Sequence, residues 1–209
     1  MLKKITSLKP VLIHTHFHRR KTGVTRSIEN VLPFFDDGFK TYVYGANIDG
    51  NKISKSKLKS ILFSDAKVVV HCHRNNEIIR MLWFRFIGAK FKLIATRHAE
   101  TVPSGMTKYL LKKADTVITL IKSMSVNLGI KNTIISHGVR VDEFVANSEK
   151  KLENIVQKNI ILNAGRVRKA KGQLVLLEAA KVLKDHKDWA LVIVGQVDKP
   201  IFLEELKAI

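Results

Sequence analysis

Cysteine is nearly missing from this chain: Cys72 is the sole copy among 209 residues. That excludes an intrachain disulfide and any zinc site built from several thiolates, and it fits a reducing compartment. Long apolar runs are missing too. A bilayer-spanning helix needs about 20 consecutive apolar residues, and no stretch here approaches that. The basic start "MLKKITSLKPVLIHTHFHRRK" has its apolar run broken by histidines after a few residues, and it carries no small-residue cleavage signal. Low-complexity tracts and short-period repeats are absent. Acidic residues are scarce, with 18 Asp and Glu against 37 Lys and Arg, a net charge of +19. The surplus is concentrated: residues 1 to 145 hold 25 basic and 10 acidic side chains, which leaves only +4 for the other 64 residues. Such a surface favours polyanionic company, whether nucleic acid, an anionic membrane or phosphorylated small molecules.

What is present is ordinary globular material, 45% hydrophobic, enough for a packed core. Short runs rich in Val and Ile occupy residues 11–17, 40–45, 66–72, 91–96, 115–120 and 132–138. Between several of them, "TRSIENVLPFF", "NEIIRMLWFRFIG" and "GMTKYLLKKA" space apolar residues three and four apart. This alternation predicts an α/β fold with a parallel sheet and crossover helices. Residues 1–145 therefore form one doubly wound domain. The polar stretch 146–158 reads as a connector. A second alternation follows over 159–209, with strands "NIILNAG" and "WALVIVG" and helices "GQLVLLEAAKVLKDH" and "PIFLEELKAI". Two strands are too few to bury both faces of a parallel sheet, so this second domain is expected to be incomplete.

The segment "ILNAGRVRKAKGQ" (161–173) combines a strand ending at Gly165, four cations (Arg166, Arg168, Lys169 and Lys171), and Gly172 before a helix. Ligands of open α/β sheets bind at the carboxyl ends of the strands. A helix N-terminus attracts an anion, and Arg and Lys neutralise a diphosphate. A solvated basic loop fits the same residues.

Two contiguous blocks carry a resemblance that favours the first reading. "NAGRVRKAKGQLVLLEAAKVLKDHKDWALVIVG" resembles the opening of the C-terminal domain of retaining GT-B glycosyltransferases of family 4. "ADTVITLIKSMSVNLGIKNTIISHGVRVDEF" is similar to the end of that family's N-terminal domain. The resemblance implies a GT-B fold of two Rossmann-like domains and transfer of a hexosyl unit from a nucleotide-diphosphate sugar, with that sugar as substrate and no cofactor or metal required. It implies that Arg166 and Lys171 hold the donor diphosphate and help it leave. Gly138, Val139 and Asp142 match the loop after the last N-domain strand, with His137 where an Asn is common. His98 matches a histidine near the donor, and Gly23 matches a glycine-rich loop after the first strand, with one glycine where two are frequent. Cations aimed at the departing diphosphate would stabilise the charge that builds there. The family's Glu-x7-Glu motif has no counterpart, since Glu204 and Glu205 lie too early. The expectation is thus a piece of a longer enzyme or a truncated, non-catalytic remnant.

Two further groups bear on function. His14, His16 and His18 share one face of a strand, and His71 and His73 flank Cys72 at the end of another. They read as polar cleft residues facing acceptor or solvent rather than as metal ligands. The helix "NEIIRMLWFRFIGAK" brings Trp83, Phe84 and Phe86 together with Arg80, Arg85 and Lys90. Its aromatics are expected to face the sheet, and the domain's lysines to meet anionic lipid. The expected function is glycosyl transfer to a glycan or lipid-linked acceptor in lipopolysaccharide-type envelope biosynthesis. It would take place in the cytoplasm, with peripheral docking at the inner face of the cytoplasmic membrane. Nucleic-acid binding is the rival that the charge alone would support, but no known RNA or DNA motif is present, so no specific nucleic acid is expected; a nucleotide-sugar epimerase is a further rival.

Overall fold

The Val- and Ile-rich runs form two separate parallel sheets. The computed structural model describes residues 9–143 and 154–209, so most of the expected connector, 146–153, lies outside the described residues. The chain divides into two compact units, Met1–Phe144 and Val145–Ile209.

The first unit contains strands β1 (Val11–His16), β2 (Lys40–Gly45), β3 (Val68–Cys72), β4 (Lys92–Arg97), β5 (Thr116–Thr119) and β6 (Thr133–Ile134). All pair in parallel, in the order β2-β1-β3-β4-β5-β6. The helices are α1 (Gly23–Val31), α2 (Lys55–Leu62), α3 (Asn75–Phe86), α4 (Gly105–Lys112) and α5 (Lys122–Leu128). Their starts follow local chemistry: Thr22, Ser54 and Ser104 each accept a first-turn N–H through the side-chain oxygen. Strand order reverses between β1 and β3, and a crevice opens at the carboxyl ends of the strands at such a switch point. The sheet's Ile13, Val70, Leu93 and Val117 pack with Leu58 and Leu62 of α2, Met81 and Phe84 of α3 and Leu110 of α4.

Three elements differ from expectation. α2 forms from "KSKLKSIL", whose lysines conceal the inward stripe Leu58, Ile61 and Leu62. The last strand of the first sheet shrinks to two residues. Of the three α3 aromatics only Phe84 is buried; Trp83 is 54% and Phe86 88% exposed, because the helix period points residues 79, 83 and 86 away from the stripe 78, 81 and 84.

Asp115 fastens α3 to the sheet. Its carboxylate accepts from the Leu93 amide at 2.7 Å and from the Arg85 guanidinium at 2.6 Å. Burial pushes the Asp115 carboxyl up, but these partners outweigh it and leave it below the usual carboxylate range. A carboxylate depressed in the folded state stabilises the fold above its ordinary pKa and loses that contribution as pH falls through the folded value. Asp115→Asn is therefore expected to lower the urea midpoint at neutral pH, and the gap to the parent should close as the titration is taken below about pH 4. A gap that stays constant with pH would refute the assignment.

The second unit holds β7 (Asn159–Ala164) and β8 (Trp189–Val194), paired in parallel, with α6 (Gln173–Ala180) and α7 (Pro200–Lys207). The helix expected over 172–186 ends at Ala180 and continues only as a 3-10 turn, Lys181–Leu183. A small core joins Val167, Phe202 and Leu206, while Ile160, Leu162 and Val194 of the strands stay exposed. Beyond β7 and β8 the two backbones continue side by side, and a Cβ on Gly195 would lie 1.8 Å from the Gly165 carbonyl oxygen. Only glycine fits there.

Candidate functional site

In the second unit the basic loop leaves β7 at Gly165 and passes through a 3-10 turn, Lys169–Lys171. It enters α6 through Gly172, whose φ of +74° is left-handed. Buried Gln173 braces the loop from inside: its amide nitrogen donates to the Asn163 side chain and to the Arg166 carbonyl, both at 3.2 Å, and its oxygen accepts from the Arg168 amide at 3.4 Å. Arg166 is partly buried and pairs with Asp198 at 3.2 Å. Lys169 pairs with Glu205 at 3.3 Å. Arg168 and Lys171 carry no ion pair among the described residues. The first turn of α6 has backbone N–H groups without intrahelical acceptors, and no side chain caps them. Beside the loop lies a cavity of about 540 Å³ lined by Arg168, Lys169, Asp198, Lys199, Phe202 and Glu205. A loop of four cations that leads into an uncapped helix start suits an anion, although Asp198 and Glu205 also line the cavity. Arg166 and Lys171 stand together on this loop.

In the first unit the expected residues gather at the carboxyl edge of the sheet. His98 follows β4 directly, and its ring stacks on His137 with centroids 5.5 Å apart. Gly138 and Val139 come next and are exposed; Asp142, three residues farther, is held by Arg140 at 3.0 Å. His137 Nδ1 meets the Ser27 hydroxyl of α1 at 2.7 Å. Gly23 opens α1, and nothing lies within 4 Å of where its Cβ would be, so packing does not demand glycine there. Arg74 donates to the Thr22 hydroxyl at 3.2 Å. A cavity of about 290 Å³ is lined by His73, Arg74, Asn75, Thr96, Arg97 and His98. The Nε atoms of Arg74 and Arg97 are buried and lack hydrogen-bond partners among the described residues. A small anion is the ligand such a pocket suits. Burial, with the neighbouring His137 and Arg74, lowers His98 to about 4, so its ring is neutral at neutral pH.

His73 lines the pocket as a cleft residue would, but the β1 histidines depart from that expectation. His14 and His16 are buried within β1, because this central strand is covered on both faces. His16 Nδ1 donates to the Ala46 carbonyl at 2.7 Å, and its Nε2 meets the Thr25 hydroxyl at 2.8 Å. His18 lies beyond the strand end. Behind the pocket sits a residue that the sequence did not single out. Glu77 of α3 is fully buried and accepts from the Phe17 amide at 3.1 Å, the His73 amide at 2.7 Å and the Thr15 hydroxyl at 3.0 Å. Burial pushes its carboxyl up against the pull of these three bonds. An acid in a helix's first turn reads as a dipole partner, so the one usable signal was its place just after a strand's carboxyl end.

Comparison with known proteins agrees with this arrangement. Residues 145–208 match the family described as Glycosyl transferases group 1. The chain is 28% identical over 211 residues to the lipopolysaccharide core biosynthesis mannosyltransferase LpcC of Rhizobium leguminosarum bv. viciae, covering 94% of this chain and 60% of that protein. It is 25% identical to the lipopolysaccharide core biosynthesis mannosyltransferase LpsB of Rhizobium meliloti (strain 1021), with the same coverage. The chain thus spans about 60% of the length of the curated relatives it matches. Among solved structures, Anabaena Alr3699/HepE in complex with UDP and glucose superimposes with a TM-score of 0.69 at 11% identity, over 95% of this chain and 65% of that one. The apo form of the lipopolysaccharide outer core galactosyltransferase WaaB gives a TM-score of 0.60 at 14% identity, over 95% and 63%.

Proposed function

The fold is of the GT-B glycosyltransferase type, and we propose that the chain belongs to an enzyme that transfers a hexosyl unit from a nucleotide-diphosphate sugar to a glycan or lipid-linked acceptor of lipopolysaccharide type. The observation that carries this reading is the braced basic loop between β7 and α6, which lies inside the segment matched to Glycosyl transferases group 1. In the proposed chemistry, retaining and of the family 4 kind, Arg166 and Lys171 receive the diphosphate as the glycosidic bond breaks, and the α6 amides share its charge. For the first unit by itself, the roles that the resemblance implies for His98, Gly23, Gly138 and Val139 are part of the proposal, and Arg74 and Arg97 take an acidic group of the acceptor. The test is transfer from UDP-, GDP- and ADP-hexoses to lipopolysaccharide core acceptors, using the product of the native locus, whose intact mass should be recorded first. Turnover with one nucleotide class supports the reading. No turnover, together with no nucleoside diphosphate binding, would sink it.

Docking at an anionic leaflet is part of the same proposal. No helix among the described residues is long and apolar enough to cross a membrane. Exposed Ile79, Trp83 and Phe86 of α3 lie one helix away from exposed Met106 and Tyr109 of α4, and Lys90, Lys112 and Lys113 have no ion pair among the described residues. Apolar side chains inserted at headgroup level, with cations beside them, suit phosphatidylglycerol-rich bilayers. Inserting one large side chain contributes about 1.5–3 kcal/mol, so Trp83→Ser with Phe86→Ser is expected to weaken vesicle binding by at least about 100-fold. Cosedimentation that is unchanged by the pair, or indifferent to anionic lipid, would end the idea.

A further inference from the structure

The cluster at the switch point holds a possibility separate from donor chemistry. His14 on β1 and His71 on β3 are register partners, and His73 lies just beyond the end of β3. One nitrogen from each of these three rings falls within 4.8 Å of the others. His14 Nδ1 and His73 Nε2 are 3.5 Å apart. In a tetrahedral zinc site with Zn–N bonds of about 2.1 Å, ligand nitrogens lie about 3.4 Å from one another. Two of the three outer nitrogens are already held, as ligating histidines require. His71 Nε2 meets the Thr96 hydroxyl at 2.7 Å, and His73 Nδ1 meets His98 Nε2 at 3.1 Å. That leaves His71 Nδ1 with no hydrogen-bond partner among the described residues. His14 is in greater need: its Nε2 is buried with no partner, and its Nδ1 has only another imidazole beside it. A buried polar nitrogen left without a partner is costly.

We infer that His14, His71 and His73 form a binding site for one divalent transition cation of the zinc class, which clips β1 to β3 at the switch point. An all-imidazole donor set suits Zn²⁺, Co²⁺ or Ni²⁺ rather than Mg²⁺ or Ca²⁺, which prefer oxygen. One carboxyl, Glu77, is anchored on the backbone of this cluster, where it accepts from the His73 amide at 2.7 Å. Of the three, His73 lines the cavity it shares with His98, the side from which a water would enter as fourth ligand. The cation's role is structural, and the inference stands whether or not the donor reading does.

The test uses the untagged chain after chelator treatment. Zn²⁺ is titrated calorimetrically, and Co²⁺ serves as a spectroscopic probe. One equivalent should bind, with the visible absorption of tetrahedral Co²⁺, and Zn²⁺ at about a hundredfold excess over Kd should raise Tm by about 8 °C. His71→Gln should abolish stoichiometric uptake, while His186→Ala, which removes an exposed histidine of the second unit, should leave it intact. Should His71→Gln fail to fold, the wild-type Co²⁺ spectrum still decides, because three nitrogen ligands and tetrahedral geometry are required of it. No stoichiometric uptake by the wild type overturns the inference, as does uptake that survives in a folded His71→Gln variant or disappears with His186→Ala.

Discussion

Arg166→Ala is expected to lower kcat/KM for sugar transfer by about 100- to 1000-fold, the cost typical of removing one preorganised donor from a developing oxyanion. The guanidinium is partly buried, Asp198 fixes its direction at 3.2 Å, and Gln173 holds its backbone carbonyl. Its side chain is thus aimed before donor arrives, and truncation also leaves Asp198 unpaired beside an incoming dianion. Lys171→Ala is expected to cost less, about 10- to 100-fold, since an exposed ammonium on a flexible stem acts as a point charge and loses more side-chain entropy on binding. Arg166→Lys restores the charge without the planar fork and should recover only part of the loss. Asp198→Asn separates aim from charge: it keeps a hydrogen-bond acceptor and should be the mildest of the four. In all of them the inhibition constant of the nucleoside diphosphate should rise in step with the fall in kcat/KM, because substrate and product share the diphosphate. A folded Arg166→Ala enzyme with unaltered nucleoside diphosphate inhibition and transfer would refute the role assigned to the loop.

That loop was legible in the sequence because all its parts are contiguous: strand, glycine, cations, glycine and helix. The strands were legible for a related reason, since β-branched runs bounded by polar residues leave few alternative registers. α2 was not, because its lysines mask an i, i+3, i+4 stripe that shows only once Leu58, Ile61 and Leu62 are seen to point inward. The exposed aromatics of α3 were misjudged because composition says nothing of phase along the helix. The histidine cluster demands information that no single segment contains. His14 and His71 are 57 positions apart, and only the strand order β1-β3 makes them neighbours. Spacing alone therefore suggested a cleft, whereas coverage of the central strand on both faces makes a buried constellation.

The same missing information conceals a residue that ties three segments of the first unit together. Glu77 is a first-turn acid of α3, yet its carboxyl ties together three segments: the exit of β1 through Phe17, β1 itself through Thr15, and the exit of β3 through His73. Glu77→Ala would strand the Phe17 and His73 amides, each at a cost of about 1–3 kcal/mol, and would open a cavity, while the Thr15 hydroxyl keeps the His71 carbonyl at 3.3 Å. Incomplete relaxation and access of water to the new cavity reduce that sum, and a loss of about 3–5 kcal/mol is expected, a large share of the roughly 5–15 kcal/mol that stabilises a domain. Glu77→Gln discriminates between shape and chemistry. It fills the same volume, but its amide nitrogen cannot accept, so one of the two backbone N–H groups now faces a donor, and about 1–2 kcal/mol should be lost. Glu29→Gln, at a carboxylate that pairs with exposed Lys21 and Arg26 and whose bond from the Asp49 amide at 3.0 Å a Gln oxygen can still accept, should cost about 1 kcal/mol. Trp83 lies in the first unit and Trp189 in the second. In a Trp189→Phe background, urea unfolding followed by fluorescence therefore reports the first unit alone. If Glu77→Ala and Glu29→Gln shift that midpoint equally, the carboxyl is not the tie described here. If Glu77→Ala falls far below Glu77→Gln, and both fall below Glu29→Gln, the carboxyl ends of β1 and β3 owe their shape to one buried acid.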